Sequence, residues 1–189
     1  GSATTVTISI SGTAGVSCAP FCTVTASNTG PYCAGATVVL TAGNATGSNV
    51  GSPTTYTWTG PNGFTATGQN VSIPASTAAN AGVYTVTATG VATCTASTTV
   101  VVNPTPTLNP TSNSPLCAGS SLIMNSGATG GITAWTGPPG SNWAFLGTGA
   151  NLNPPALSNP TPGTYNITVL QNGCTSTGSI VVSVGTPPT

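Results

Sequence analysis

The sequence predicts an all-β chain of two tandem β-sandwich modules preceded by one extra strand. Three observations carry this: segments in which apolar residues alternate with Thr and Ser, turn signals between them, and a set of motifs that occurs twice. Alternation with period two marks a half-buried strand. Tyr84, Val86 and Ala88 fall on one face, with Thr85, Thr87 and Thr89 on the other. Tyr165, Ile167 and Val169 oppose Thr164, Asn166 and Thr168 in the same way. Ile180, Val182 and Val184 form another apolar face, as do Val71 and Ile73. Gly60-Pro61-Asn62-Gly63 and Pro138-Pro139-Gly140 read as turns. Asn172-Gly173 between two strand patterns reads as a tight hairpin.

The repeat sets the domain organisation. Gly30-Pro31-Tyr32-Cys33-Ala34-Gly35 matches Ser114-Pro115-Leu116-Cys117-Ala118-Gly119. Tyr56-Thr57-Trp58-Thr59-Gly60-Pro61 matches Thr133-Ala134-Trp135-Thr136-Gly137-Pro138, and Gly82–Val86 matches Gly163–Ile167. Cys94-Thr95 matches Cys174-Thr175. The spacing of about 80 residues is too long for a solenoid repeat and suits a small sandwich. Some seven short strands per repeat point to an immunoglobulin-like sandwich.

In chain order, residues 1–17 form a strand segment, 18–104 the first module, and 105–189 the second module with a C-terminal linker. Val6, Ile8 and Ile10 share one face, and residues 1–10 resemble the closing strand Ser97–Val102. Three readings stay open for them: a window from a longer array, a strand added to a neighbouring subunit, or an extra strand of the first module. Gly185-Thr186-Pro187-Pro188-Thr189 resembles the linker Asn103–Thr107.

Composition excludes most chemistry. The 189 residues contain no Asp, Glu, Lys, Arg or His, whereas charged residues make up about a quarter of an ordinary domain. General acid–base catalysis loses nearly all its donors, and a Ser, Thr or Cys nucleophile has nothing to activate it. No enzyme activity and no cofactor are therefore expected. Hard cations lack carboxylates. Cys18 and Cys22 have zinc-ligand spacing but no second pair follows, so no metal site is expected. Without Lys or Arg, nucleic acid is not a partner, nor is an anionic membrane surface. No apolar run reaches the ~18 residues of a membrane span.

The six cysteines are Cys18, Cys22, Cys33, Cys94, Cys117 and Cys174. An even count in small β modules favours disulfides and an oxidising compartment, with buried free thiols as the alternative. Repeat logic pairs Cys33 with Cys94 and Cys117 with Cys174, leaving Cys18 for Cys22. A closed loop of about 60 residues would stabilise by roughly 4 kcal/mol. The same topology, however, sets Cys33 and Cys94 at opposite ends of a sandwich, while a disulfide needs Cα atoms within about 7 Å. Either the first segment crosses the sandwich end, or the topology differs, or the bonds are intermolecular.

These motifs resemble the immunoglobulin-like, PKD-like repeat modules of large secreted surface proteins from Bacteroidota. The resemblance rests on Pro31–Gly35, Trp58–Phe64, Gly82–Val86 and Cys94-Thr95, and again on Pro115–Gly119, Trp135–Pro138, Gly163–Ile167 and Asn172–Thr175. It implies a secreted or outer-surface protein, often adhesive, exported by the type IX route, with no catalytic residues. Modules of that kind usually contain acidic residues, and this chain has none. The Asp-initiated O-glycosylation motif cannot operate here.

An uncharged surface promotes association, and of the usual guards on strand edges only Pro is present. The leading expectation is a self-associating structural subunit of an extracellular fibre or surface appendage, polymerising through residues 1–10. Asn44, Asn70 and Asn166 begin N-x-[ST] sequons and are candidate glycosylation sites. The alternative is an adhesive or glycan-binding module. Trp143, in the irregular Pro138–Phe145 stretch, is its candidate for stacking on sugar, alongside Tyr32 and Tyr56; Trp58 and Trp135 read better as core. Ice binding by Thr-x-Thr strands is a third possibility, set against threonines expected to be scattered over twisted strands.

Overall fold

The computed structural model describes residues 21–47, 55–148 and 153–185. The proposed N-terminal strand, Cys18 and the linker residues beyond Gly185 lie outside the described residues.

The first half runs β1 (Cys22–Thr23), β2 (Ala26–Asn28), β3 (Tyr32–Cys33), β4 (Val38–Ala42), β5 (Thr46–Gly47) and β6 (Thr55–Thr59). It continues with β7 (Thr65–Thr67), β8 (Asn70–Ile73), β9 (Gly82–Thr89), β10 (Thr93–Val100) and β11 (Val102–Asn103). The second half comprises β12 (Thr111–Ser112), β13 (Leu116–Cys117), β14 (Met124–Asn125) and β15 (Ile132–Thr136). After these come β16 (Ala144–Thr148), β17 (Gly163–Gln171), β18 (Cys174–Val182) and β19 (Val184–Gly185). The chain is all-β and immunoglobulin-like, as the alternation predicts.

In the first half a sheet β2-β4-β8 faces a sheet β10-β9-β6-β7. Their inward residues, among them Val38, Leu40, Trp58, Tyr84, Val86 and Val100, form one buried cluster. The second half repeats the larger sheet as β16-β15-β17-β18 and closes its own cluster around Leu122, Met124, Trp135, Tyr165, Ile167 and Val182. Two separate cores mean two sandwiches.

Two local features fix this topology. Each sandwich has a tyrosine corner: the Tyr84 hydroxyl donates to the Asn80 carbonyl at 2.9 Å, and Tyr165 donates to Thr161 at 3.1 Å. The Asn172-Gly173 hairpin forms as expected. Both residues adopt positive φ, 50° and 79°, and Gln171 pairs with Cys174, the geometry of a type I′ turn.

Candidate functional site

The cysteines correct the expected pairing. Cys22 is bonded to Cys94 with Cα atoms 5.4 Å apart, and Cys33 to Cys174 at 5.6 Å. Cys117 is an exposed free thiol. The intra-repeat bonds Cys33–Cys94 and Cys117–Cys174 do not form, nor does Cys18–Cys22. The reason is the distance along the closing strands. Cys33 sits in β3, which runs parallel to β11 with Cys33 opposite Asn103, whereas Cys94 is at the start of β10. At about 3.3 Å per residue the intervening strand separates them by about 30 Å. The objection raised by the topology thus holds: Cys94 bonds Cys22 within its own module, and Cys33 bonds out of it.

Cys33–Cys174 instead joins the two sandwiches, and the joint has further contacts. The Asn103 side-chain amide donates to the Asn172 carbonyl at 2.9 Å, tying the end of β11 to the hairpin of the second module. The Cys33 sulfur lies 3.8 Å from the Gly173 carbonyl oxygen. The Ser176 hydroxyl donates to the carbonyl of buried Pro106 at 2.6 Å. Beyond it, Leu108 lies over β18 where Gly178 leaves space: a Cβ there would come 2.9 Å from Leu108 Cδ2. The linker is therefore pinned along the second module by bonds that start in the first. A flexible tether would leave its backbone to water.

The second surface is the outer face of the sheet β10-β9-β6-β7. Its register aligns Thr67, Thr57, Thr87 and Thr95 in one cross-strand row, and Thr65, Thr59, Thr85 and Ser97 in the next. Thr55, Thr89 and Thr93 form a third. The Thr85 and Ser97 hydroxyls are hydrogen-bonded at 2.8 Å. These threonines are not scattered: antiparallel register stacks them into rows whose members lie about 4.8 Å apart from strand to strand. Sequence spacing cannot show this, because it does not reveal which strands are neighbours. The matching face of the second module is mixed, with rows Thr136–Asn166–Ser179 and Ala134–Thr168–Thr177.

The remaining expected site residues separate. Trp58 and Trp135 are fully buried. The Trp58 indole donates to the Gly68 carbonyl at 3.1 Å. Tyr32 is buried and its hydroxyl donates to Val39 at 3.1 Å; the half-buried Tyr56 accepts from the Ala45 amide at 2.9 Å. Trp143 is half-buried and packs edge-on against Tyr165, ring centroids 5.5 Å apart, so part of its indole already has a protein partner. Asn44, Asn70 and Asn166 are all exposed; Asn44 accepts from the Gln69 amide at 2.8 Å.

Among the tyrosines, burial raises the hydroxyl pKa of Tyr84 and Tyr165, partly opposed by their hydrogen bonds. Burial acts the same way on Tyr32, but its hydrogen bonds with Thr29, Val39 and Gly30 outweigh it and bring the value down. Among the described residues no cluster of His, Cys or acidic groups could hold a metal. Nor is any described helix long and apolar enough to cross a membrane.

No protein family and no curated protein matches the chain. Solved structures do resemble it in fold. A marsupial T cell receptor aligns with a TM-score of 0.50 at 14% identity, covering 84% of this chain and 71% of that one. The first two immunoglobulin domains of DIP-gamma align at 13% identity over 84% of this chain and 97% of theirs, TM-score 0.41. Three N-terminal domains of the outer capsid protein Hoc of bacteriophage RB49 align at 14% identity over 88% of this chain and 59% of theirs, TM-score 0.40.

Proposed function

We propose that this chain is a non-enzymatic structural unit of an extracellular fibre or surface appendage, in which sandwiches are fixed in series. The observation that carries this reading is the joint at Cys33 and Cys174. Tandem domains joined by a free linker move relative to one another by default. Here a disulfide, the Asn103–Asn172 bond and the pinned linker all act against that motion. The disulfides support an oxidising compartment, and a surface without charge has no repulsion to keep copies apart. Residues 1–10 are the candidate donor strand for the neighbour. Electron microscopy of the purified protein tests this: filaments of uniform width are expected, and monodisperse monomers at all concentrations would overturn it.

A second reading, adhesion or glycan binding, is favoured by one observation. The threonine rows present hydroxyls and methyls on a sheet face whose row residues are all half-buried or exposed. Binding on a glycan array that falls when Thr57 and Thr87 are replaced by Val would support it, and an array without hits would remove it.

A further inference from the structure

Both modules carry the same receptor for a hairpin, and among the described residues only the first holds one. In the first, the Tyr32 amide donates to Val101 at 2.9 Å and the Ala34 amide to Asn103 at 2.8 Å. In the second, the Leu116 amide donates to Ser183 at 2.9 Å and the Ala118 amide to Gly185 at 3.1 Å. Turns follow both, with the Ala36 amide on Cys33 and the Ser120 amide on Cys117, each at 3.0 Å. Cys33 lies opposite Asn103 and Cys117 opposite Gly185, in parallel pairing both times. The Cys33 sulfur holds the hairpin cysteine Cys174 of another module, while the Cys117 thiol is exposed and unbonded.

We propose that Cys117 receives the Cys94 hairpin of a second copy of this chain, so that copies join end to end through the type of joint that links the modules within each copy. This rests on the fibre reading above. Cys94 is the counterpart of Cys174: each is buried, each is followed by Thr, and each lies at the start of the last long strand of its module, Cys174 as its first residue and Cys94 as its second. The two mating surfaces also change together. Within the chain, the Asn103 amide meets the Asn172 carbonyl. At the open end Gly185 stands in place of Asn103, and the hairpin of the first module carries Val91 at its tip, 73% exposed. An amide contact gives way to an apolar side chain over a bare glycine. That hairpin is also longer, since Cys94 pairs with Ala88, one rung beyond Thr93–Thr89, and Gly185 has no side chain to obstruct the longer tip.

Cys94 is already bonded to Cys22, so the joint forms by exchange. The Cys117 thiolate of one copy attacks the Cys94 sulfur of the next. The Cys117–Cys94 bond forms, the Cys22–Cys94 bond breaks, and Cys22 leaves as a thiolate that takes up the proton Cys117 gave up. No oxidant is consumed, and the free thiol moves from Cys117 to Cys22.

The test incubates the full-length protein in a glutathione buffer, alkylates free thiols, and maps peptides after digestion with pepsin, because a chain without Lys or Arg has no trypsin site. Expected results are a non-reducing ladder of multimers, a Cys117–Cys94 peptide, and label moving from Cys117 to Cys22 in proportion. Cys117→Ser should abolish the ladder and keep the Cys33–Cys174 peptide. A Cys117 that stays fully alkylable, or that bonds to Cys117 or Cys18 of another copy, overturns the proposal. Filaments without the ladder overturn the joint and leave the fibre reading standing. Cys117–Cys94 dimers without filaments sustain the joint and overturn the fibre reading.

Discussion

Cys33 and Cys174 are 141 residues apart in sequence, yet their Cα atoms lie 5.6 Å apart across the boundary between two sandwiches. A chain-entropy argument gives a closed loop of that length a stabilisation of about 5 kcal/mol. Cys33→Ser should therefore turn a single unfolding transition into two, one per module, in calorimetry. It should also broaden the distance distribution in small-angle scattering. Cys117→Ser, at an exposed free thiol, should leave both curves of the monomer unchanged.

Stability should be nearly flat from about pH 2 to pH 8, because the chain has no side-chain carboxylate or imidazole to titrate in that range. The tyrosines set the alkaline limit. Tyr84 and Tyr165 have raised pKa values in the fold, so the folded state keeps protons that the unfolded chain has lost. Their contribution is full below about pH 10, the unfolded value, and disappears as pH rises through the folded values. Tyr32 shifts in the opposite direction. Urea midpoints across pH check this, and an acid transition near pH 4 would contradict it.

Tyr84→Phe removes the donor to the Asn80 carbonyl and leaves that acceptor without its partner at the sandwich corner. A loss of about 1–3 kcal/mol is expected, measured by urea unfolding. Tyr165→Phe should act alike on the second module through Thr161.

Thr133 is fully buried and its hydroxyl has no hydrogen-bond partner among the described residues. It occupies the repeat position of Tyr56, whose hydroxyl does find one, on the Ala45 amide. Thr133→Val keeps the shape and removes the unpaired group, so the second module should gain about 1 kcal/mol. A loss of stability would show that the hydroxyl has a partner after all.

The sandwich was legible because its determinants are local. Tyr84-Thr85-Val86 and its counterpart Tyr165-Asn166-Ile167 show their faces by alternation alone, and Asn172-Gly173 specifies its turn by backbone preference. The disulfides were not legible, because repeat logic compares positions within a module while Cys33 finds its partner in the next one. The alternation turning Thr87 outward is visible, but the alignment of Thr57, Thr87 and Thr95 into one row depends on β6, β9 and β10 being neighbours, which spacing does not encode. Trp143 reads as a candidate for stacking on sugar because nothing local signals its edge contact with Tyr165.

The claim that modules are covalently fixed in series is tested most directly by non-reducing peptide mapping of the monomer after digestion with pepsin. The account predicts peptides linking Cys33 to Cys174 and Cys22 to Cys94, with Cys117 recovered as a thiol. Peptides linking Cys33 to Cys94 and Cys117 to Cys174 would contradict it.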